Sequence, residues 1–206
     1  MSSNPYKPIA ATAVPKTGPV VAIDFDGVVT DPDELKSVAF AERGYDMDPT
    51  ETSREYCLEV EDIPKDDYEW VSRTVNIEWL QQVPLQDGAS KGLVRLAESG
   101  FHPIIVTSRY DEELESMVEY IQQHNLAVAG YTNTNRNSKL DTVRRLNAEA
   151  FIDDSYYKFE ELIESEYSST DLFFFRNASN QYIDSHRSDV VEIHHWDGFI
   201  SSIIRR

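Results

Sequence analysis

Two aspartates separated by one residue, Asp24 and Asp26, close the apolar run Val20-Val21-Ala22-Ile23 and lead into Gly27. Carboxylates delivered together onto a glycine turn can share a metal cation, attack an electrophile or pass a proton back and forth. The same residues also suit a plain strand ending, because Asp and Gly terminate strands without doing any chemistry. The rest of the chain decides between these readings. Thr107-Ser108-Arg109 follows the apolar run Ile104-Ile105-Val106, Lys139 opens a helical stretch, and Asp153-Asp154 follows Phe151-Ile152.

Together Asp24, Asp26, Thr107, Lys139, Asp153 and Asp154 make a set with a cation-binding end and an anion-binding end. Oxygen ligands without a His or Cys cluster favour a hard cation, and Mg²⁺ is the natural one where phosphate is bound as well. Lys139 carries its own signal. Ser138 can cap the helix that follows and Asp141 stands three residues on, so the lysine falls in the first helical turn. The helix dipole favours acids there, which implies that something negative faces the ammonium.

The elements that must position these residues follow from periodicity. A first strand is expected over 20 to 25, then a helix start at Asp31-Pro32-Asp33-Glu34, with Asp31 as the N-cap, and a stop at Gly44. From there to about Gln82 the chain is helical and acidic, with turns at Asp48-Pro49 and Ile63-Pro64 and an apolar stripe at Tyr68, Val71, Val75 and Trp79. Tyr56, Tyr68, Trp70 and Trp79 are candidates to line a pocket or to pack the segment onto the body. Beyond Gly88 helix and strand alternate regularly, with strands at 104–106, 127–131, 150–152, 172–175 and 190–193. That pattern predicts an α/β fold with a Rossmann-like parallel sheet covered by helices on both faces. Ligands bind such sheets at the carboxyl ends of the strands, where the polar groups above converge. His194-His195-Trp196 follows the last strand and reads as structural, and Phe173-Phe174-Phe175 as buried strand.

With 206 residues, 40% of them hydrophobic, the chain can bury one sizeable core. A formal net charge of −18, from 37 Asp plus Glu against 19 Lys plus Arg, argues against a nucleic-acid polymer or an anionic membrane as partner. An anionic substrate would need a cation and local basic residues to reverse the field. Cys57 is the single cysteine, which fits a reducing, cytoplasmic setting and a packed thiol. No run is long enough to span a membrane. Residues 1–18 form a polar leader, and Asn177-Ala178-Ser179 matches a glycosylation sequon by coincidence.

The order DFDGVVTD, IIVTSR, Lys139, FIDD resembles the four motifs of the haloacid dehalogenase superfamily, from about Val20 to Asp154. The resemblance implies that Asp24 is a nucleophile and Asp26 a general acid and base that also lends its backbone carbonyl to the metal. It implies phosphate binding by Thr107 and Lys139, with Asp153 and Asp154 completing a Mg²⁺ site; Ser108 and Arg109 are read either as phosphate or substrate contacts or as a helix cap and a structural salt bridge. An acid at position 26 points to phosphomonoester hydrolysis or transfer. The segment 31–82 lies where the superfamily places a helical cap, leaving 19–30 and 83–206 as core, and its size and the VTSR ending resemble the deoxyribonucleotidase branch. The expected substrate is a small phosphorylated metabolite, a nucleoside monophosphate first. Alternatives are a sugar-phosphate phosphatase, a phosphomutase, or a non-catalytic protein that binds a phospho-ligand.

Overall fold

Runs rich in β-branched and aromatic residues form six strands: β1 (Val20–Ile23), β2 (His102–Thr107), β3 (Gly130–Asn133), β4 (Ala148–Asp153), β5 (Asp171–Phe175) and β6 (Val190–Ile193). In this computed structural model, which describes residues 18–164, 169–184 and 187–205, they pair in one parallel sheet of order β3-β2-β1-β4-β5-β6. The expected leader, apart from Gly18, lies outside the described residues. Among the described residues no helix is long and apolar enough to cross a membrane.

Alternation along the strands sends successive side chains to opposite faces and so builds two cores. Val21, Ile23, Ile105, Ile152, Phe173 and Phe175 face one side, covered by α3 (Ala89–Glu98), α4 (Leu114–Gln123) and α7 (Trp196–Ile204). Ala22, Ile104, Val106, Phe151 and Phe174 face the other, under α5 (Leu140–Leu146) and α6 (Tyr157–Glu164). The three phenylalanines therefore divide between the two cores. Burying each contributes on the order of 2 to 3 kcal/mol. Trp196 is buried and donates from Nε1 to the Val28 carbonyl at 2.8 Å, which ties α7 to the turn after β1. His194 and His195 are exposed, and the His195 carbonyl starts α7 by accepting from Gly198 and Phe199 N–H.

Because β1 sits centrally, the chain moves outward from it in both directions, and the crevice at its carboxyl end lies between β1 and β4. The first strand is two residues shorter than expected. Asp24 N–H still donates to Ile152 O at 2.9 Å, but Phe25 O already accepts from Val29 and Thr30 in the turn.

The helical segment between β1 and α3 leaves and rejoins the core at one neck. Thr30 pairs with Leu85, Asp31 N–H donates to Pro84 O at 2.9 Å, and Gln86 N–H donates to Val29 O at 2.9 Å. The helix α1 (Asp33–Glu42) begins one residue later than expected, after Pro32, and the Asp31 carboxylate takes the Asp33 backbone N–H at its start. Asp33 is buried and accepts from Thr52 Oγ1 at 3.0 Å. Gly44 ends the helix in the left-handed region, at φ +86°, as its lack of Cβ permits. α2 (Lys65–Arg73) runs on into a π-helical turn over Thr74–Glu78, and Phe40, Cys57, Val71 and Val75 pack continuously with the sheet's core. Of the four candidate aromatics only Tyr68 lines the central cavity. Trp70 lies under the Arg43 guanidinium, Tyr56 packs on Tyr182, and Trp79 packs on the core.

Cys57 is fully buried, and burial pushes its thiol up to about 12. A thiol-specific reagent should therefore modify the native protein about 100-fold more slowly than free cysteine, even at pH 9, and react fully in denaturant. Fast native labelling would contradict this packing.

Candidate active site

Asp24 is carried just past the end of β1, where its Oδ1 accepts from Phe25 N–H at 2.7 Å. Lys139, next to the first residue of α5, reaches back under the sheet rim and places Nζ 2.7 Å from Asp24 Oδ1 and 2.7 Å from Asp153 Oδ2. Ser138 Oγ accepts from Leu140 N–H at 3.1 Å, a side-chain bond to the first turn of the helix. Asp153, at the end of β4, is completely buried and takes Ser155 N–H on its other oxygen at 2.9 Å. Its neighbour Asp154 accepts from Asn177 Nδ2 at 2.8 Å, while Asn180 Nδ2 donates to the Asp154 carbonyl at 2.9 Å. Asp24, Asp153 and Asp154 each offer an oxygen within 4.8 Å of the others. Three hard oxygen donors at this spacing fit a divalent cation such as Mg²⁺.

Gly27 makes this approach possible. Its φ of +82° suits glycine, and a Cβ there would stand 1.9 Å from Asp154 Oδ2.

The second aspartate of the motif faces different company. Asp26 is held bidentately by Arg109, with Nη2 2.6 Å from Oδ1 and Nε 2.9 Å from Oδ2. Arg109 is itself buried, lies over the Phe25 ring and donates to Asn76 O at 3.1 Å, so it joins the core's Asp26 to the helical segment. The Asp26 carboxylate thus stands outside the three-carboxylate cluster. Thr107 is buried at the end of β2, and Ser108 Oγ lies 3.1 Å from Thr134 Oγ1. Asp24, Asp26, Thr107, Ser108, Lys139 and Asp154 all open into one cavity of about 460 Å³, with Asp153 beneath it.

These surroundings drive the two motif carboxyls apart. Burial, reinforced by Asp153, pushes Asp24 up to about 7 in spite of Lys139. Burial, Asp24 and Asp153 likewise raise Asp154 well above the ordinary range. Burial also acts to raise Asp26, but the Arg109 charge and hydrogen bonds outweigh it and hold that carboxyl low. Burial opposes the charge on Lys139, yet Asp153 and Asp24 outweigh it and raise the ammonium. Lys139 is shared by Asp24 and Asp153 while Asp154 is bonded by the neutral Asn177, an imbalance that a bound cation would correct.

No protein-family model and no curated protein matches the chain. Solved structures do match it. A haloacid dehalogenase family hydrolase from Deinococcus radiodurans, with bound phosphate and sodium, superposes at TM-score 0.60 with 16% identity, over 90% of this chain and 95% of that one. The fold is that of the haloacid dehalogenase hydrolases. A "predicted phosphatase" from Clostridium acetobutylicum matches at TM-score 0.65 and 13% identity, over 93% of this chain and all of that one. D,D-heptose 1,7-bisphosphate phosphatase from Burkholderia thailandensis matches at 0.51 and 13%, over 91% and 99%. Each match spans at least 95% of the solved chain.

Sequence reasoning missed Asn177, Asn180 and Lys36, which also line or brace the site. Asn177 was legible in principle. The rim rule applied to β1, β2 and β4 picks out Arg176-Asn177 at the end of β5 just as well, but the sequon pattern drew the reading elsewhere.

Two outcomes follow. Gly27→Ala should cost on the order of 1 to 3 kcal/mol through strain and displacement of Asp154, seen as a Tm several degrees lower; an unchanged Tm would refute the close approach. Asp24 and Asp154 bind protons more tightly folded than unfolded, so without a divalent cation stability is lost as pH rises from 3.8 through about 7. Melting from pH 5 to 8 should show a falling contribution that Asp154→Asn reduces, and an identical slope in that variant would exclude this cause.

Proposed function

We propose that this chain is a cytoplasmic Mg²⁺-dependent phosphatase that hydrolyses a small phosphomonoester through an aspartyl phosphate on Asp24. The observation that carries the reading is the shared Lys139 ammonium, which joins Asp24 to Asp153 beside Asp154 at the floor of a cavity that also holds Thr107 and Ser108.

In the proposed reaction the Asp24 carboxylate attacks phosphorus in line, and the bond to the leaving oxygen breaks. Thr107, Ser108 and Lys139 hold the phosphoryl oxygens and offset their charge. Asp26 supplies a proton to the leaving oxygen and then takes one from the water that cleaves the intermediate. Because Arg109 keeps Asp26 ionised, the resting state suits the second, water-activating role. The acid role requires Asp26 to be protonated when substrate enters, which weakens its tie to Arg109. Asp24, Asp154 and the Asp26 backbone carbonyl are the proposed holders of Mg²⁺, whose chemistry is to neutralise the carboxylates and polarise the phosphate. Asp153 has both oxygens engaged by Lys139 and Ser155 and is assigned to fixing Lys139.

The segment 31–82 is proposed as the cap that selects the leaving group, since its α1 and α2 line the cavity through Lys36, Tyr68 and Asn76 nearby. Nucleoside monophosphates are the first class to try, because Tyr68, Tyr110 and Tyr157 offer faces to a base. Sugar phosphates come second.

A phosphate-release screen over both classes tests the assignment. Asp24→Asn should lose at least about 1000-fold in kcat, and a chelator should abolish turnover that Mg²⁺ then restores. Full activity in Asp24→Asn would sink the mechanism. Isomerisation without phosphate release would instead identify transfer to substrate.

A further inference from the structure

The proposed chemistry employs Lys139 and Arg109, yet five more basic side chains, Lys36, Arg54, Lys65, Arg136 and Lys158, line the same cavity. Only five carboxylates do so, in a chain with 37 Asp plus Glu and 19 Lys plus Arg. The cavity thus reverses the sign of the molecule around it. Reversal of this kind concentrates anions, and the amount present exceeds what one phosphoryl group needs.

Lys36 reaches deepest. It projects from α1, its side chain is only 17% exposed, and its charge bears on Asp26, Asp154 and Tyr68. Asp26 is already satisfied by two Arg109 bonds. The nearest ion-pair partner of Lys36 is Asp33 Oδ1 at 3.7 Å, longer than a hydrogen bond, even though the buried Asp33 Oδ2 beside it has no hydrogen-bond partner. Lys36 thus lines the cavity while making a long ion pair with its own helix.

Arg136 approaches from the loop after β3. Its guanidinium lies 4.3 Å from the Tyr110 ring centre and its Nη2 is 3.9 Å from Glu113 Oε2, again an ion pair without a hydrogen bond. Lys36 from the cap, Arg136 from the core and the Tyr68 phenol all line this one cavity. The site pairs at Lys139 and Arg109, by contrast, close to 2.6–2.9 Å. Lys36, loosely paired and acting on Asp26, stands on the side where a leaving group must sit, because Asp26 is the proposed acid that protonates it.

Resting on the phosphatase reading above, we propose that the leaving group carries a second anionic substituent, a phosphate or a carboxylate, received by Lys36 and Arg136 with Tyr68 beside them. The base or sugar scaffold is a separate matter. What the cavity demands is a substrate with two anionic ends, one at Asp24 and one under α1.

The test compares phosphomonoesters of three- and six-carbon chains that end in methyl, carboxylate or phosphate. With Mg²⁺, wild-type protein should show kcat/KM at least about tenfold higher for a carboxylate- or phosphate-ended chain than for its methyl partner, mainly through KM. The two anionic arms tell which group is preferred. Lys36→Met and Arg136→Met should each bring that ratio close to one, and Lys36→Arg should keep most of it. Titration calorimetry of the same compounds against Asp24→Asn gives a readout independent of turnover. Equal affinity for methyl- and anion-ended chains, or variants that weaken all compounds by the same factor, would overturn the proposal. If wild type releases no phosphate from any compound or from p-nitrophenyl phosphate, the phosphatase reading fails, and the binding titration still decides whether the second anion is recognised.

Discussion

One ammonium held between two carboxylates sets the terms for everything around it. Lys139 is buried with Asp24 and Asp153 each 2.7 Å away, and such charges stay out of water only if each is paired and hydrogen-bonded. Meeting that condition takes three elements at once. β1 must bring Asp24, β4 must bring Asp153, and the start of α5 must return Lys139 to the rim between them. Parallel pairing of β1 with β4, Ile23 opposite Ile152, is what places the two aspartates side by side. Gly27 then lets Asp154 in, and Asn177 and Asn180 from beyond β5 hold it there.

Against that cluster, Asp26 shows how one turn can give two carboxyls different characters. Asp24 and Asp26 are separated by a single residue, yet one meets a lysine shared among acids and the other a dedicated arginine. Burial dominates the first and raises it; the Arg109 fork dominates the second and lowers it. Pairs whose environments drive them apart in this way are suited to divided roles. Arg109 also donates to Asn76, so the acid/base candidate is mechanically linked to the helical segment that covers the cavity.

Much of the architecture was legible locally. Alternation and short apolar runs located all six strands and the helices between them, because burial on both faces of a parallel sheet leaves a compositional trace. The rim rule then brought Asp24, Thr107, Lys139 and the 153–154 pair to one end of the sheet. Boundaries were less legible. α1 begins at Asp33, one residue later than expected, and the bond from Asp31 N–H to Pro84 O, 53 residues away in sequence, leaves no local trace.

The sequence by itself determined the inventory: which groups can carry charge, which segments are strands, and that the strand ends share a rim. These depend on period and residue type, which are local properties. Only the tertiary structure decided who pairs with whom. That Arg109 takes Asp26 and that Lys139 takes Asp24 and Asp153 are outcomes of competition among charges drawn from distant parts of the chain. Coulombic and desolvation energies depend on distance and burial in space, and neither quantity is written in the spacing of letters.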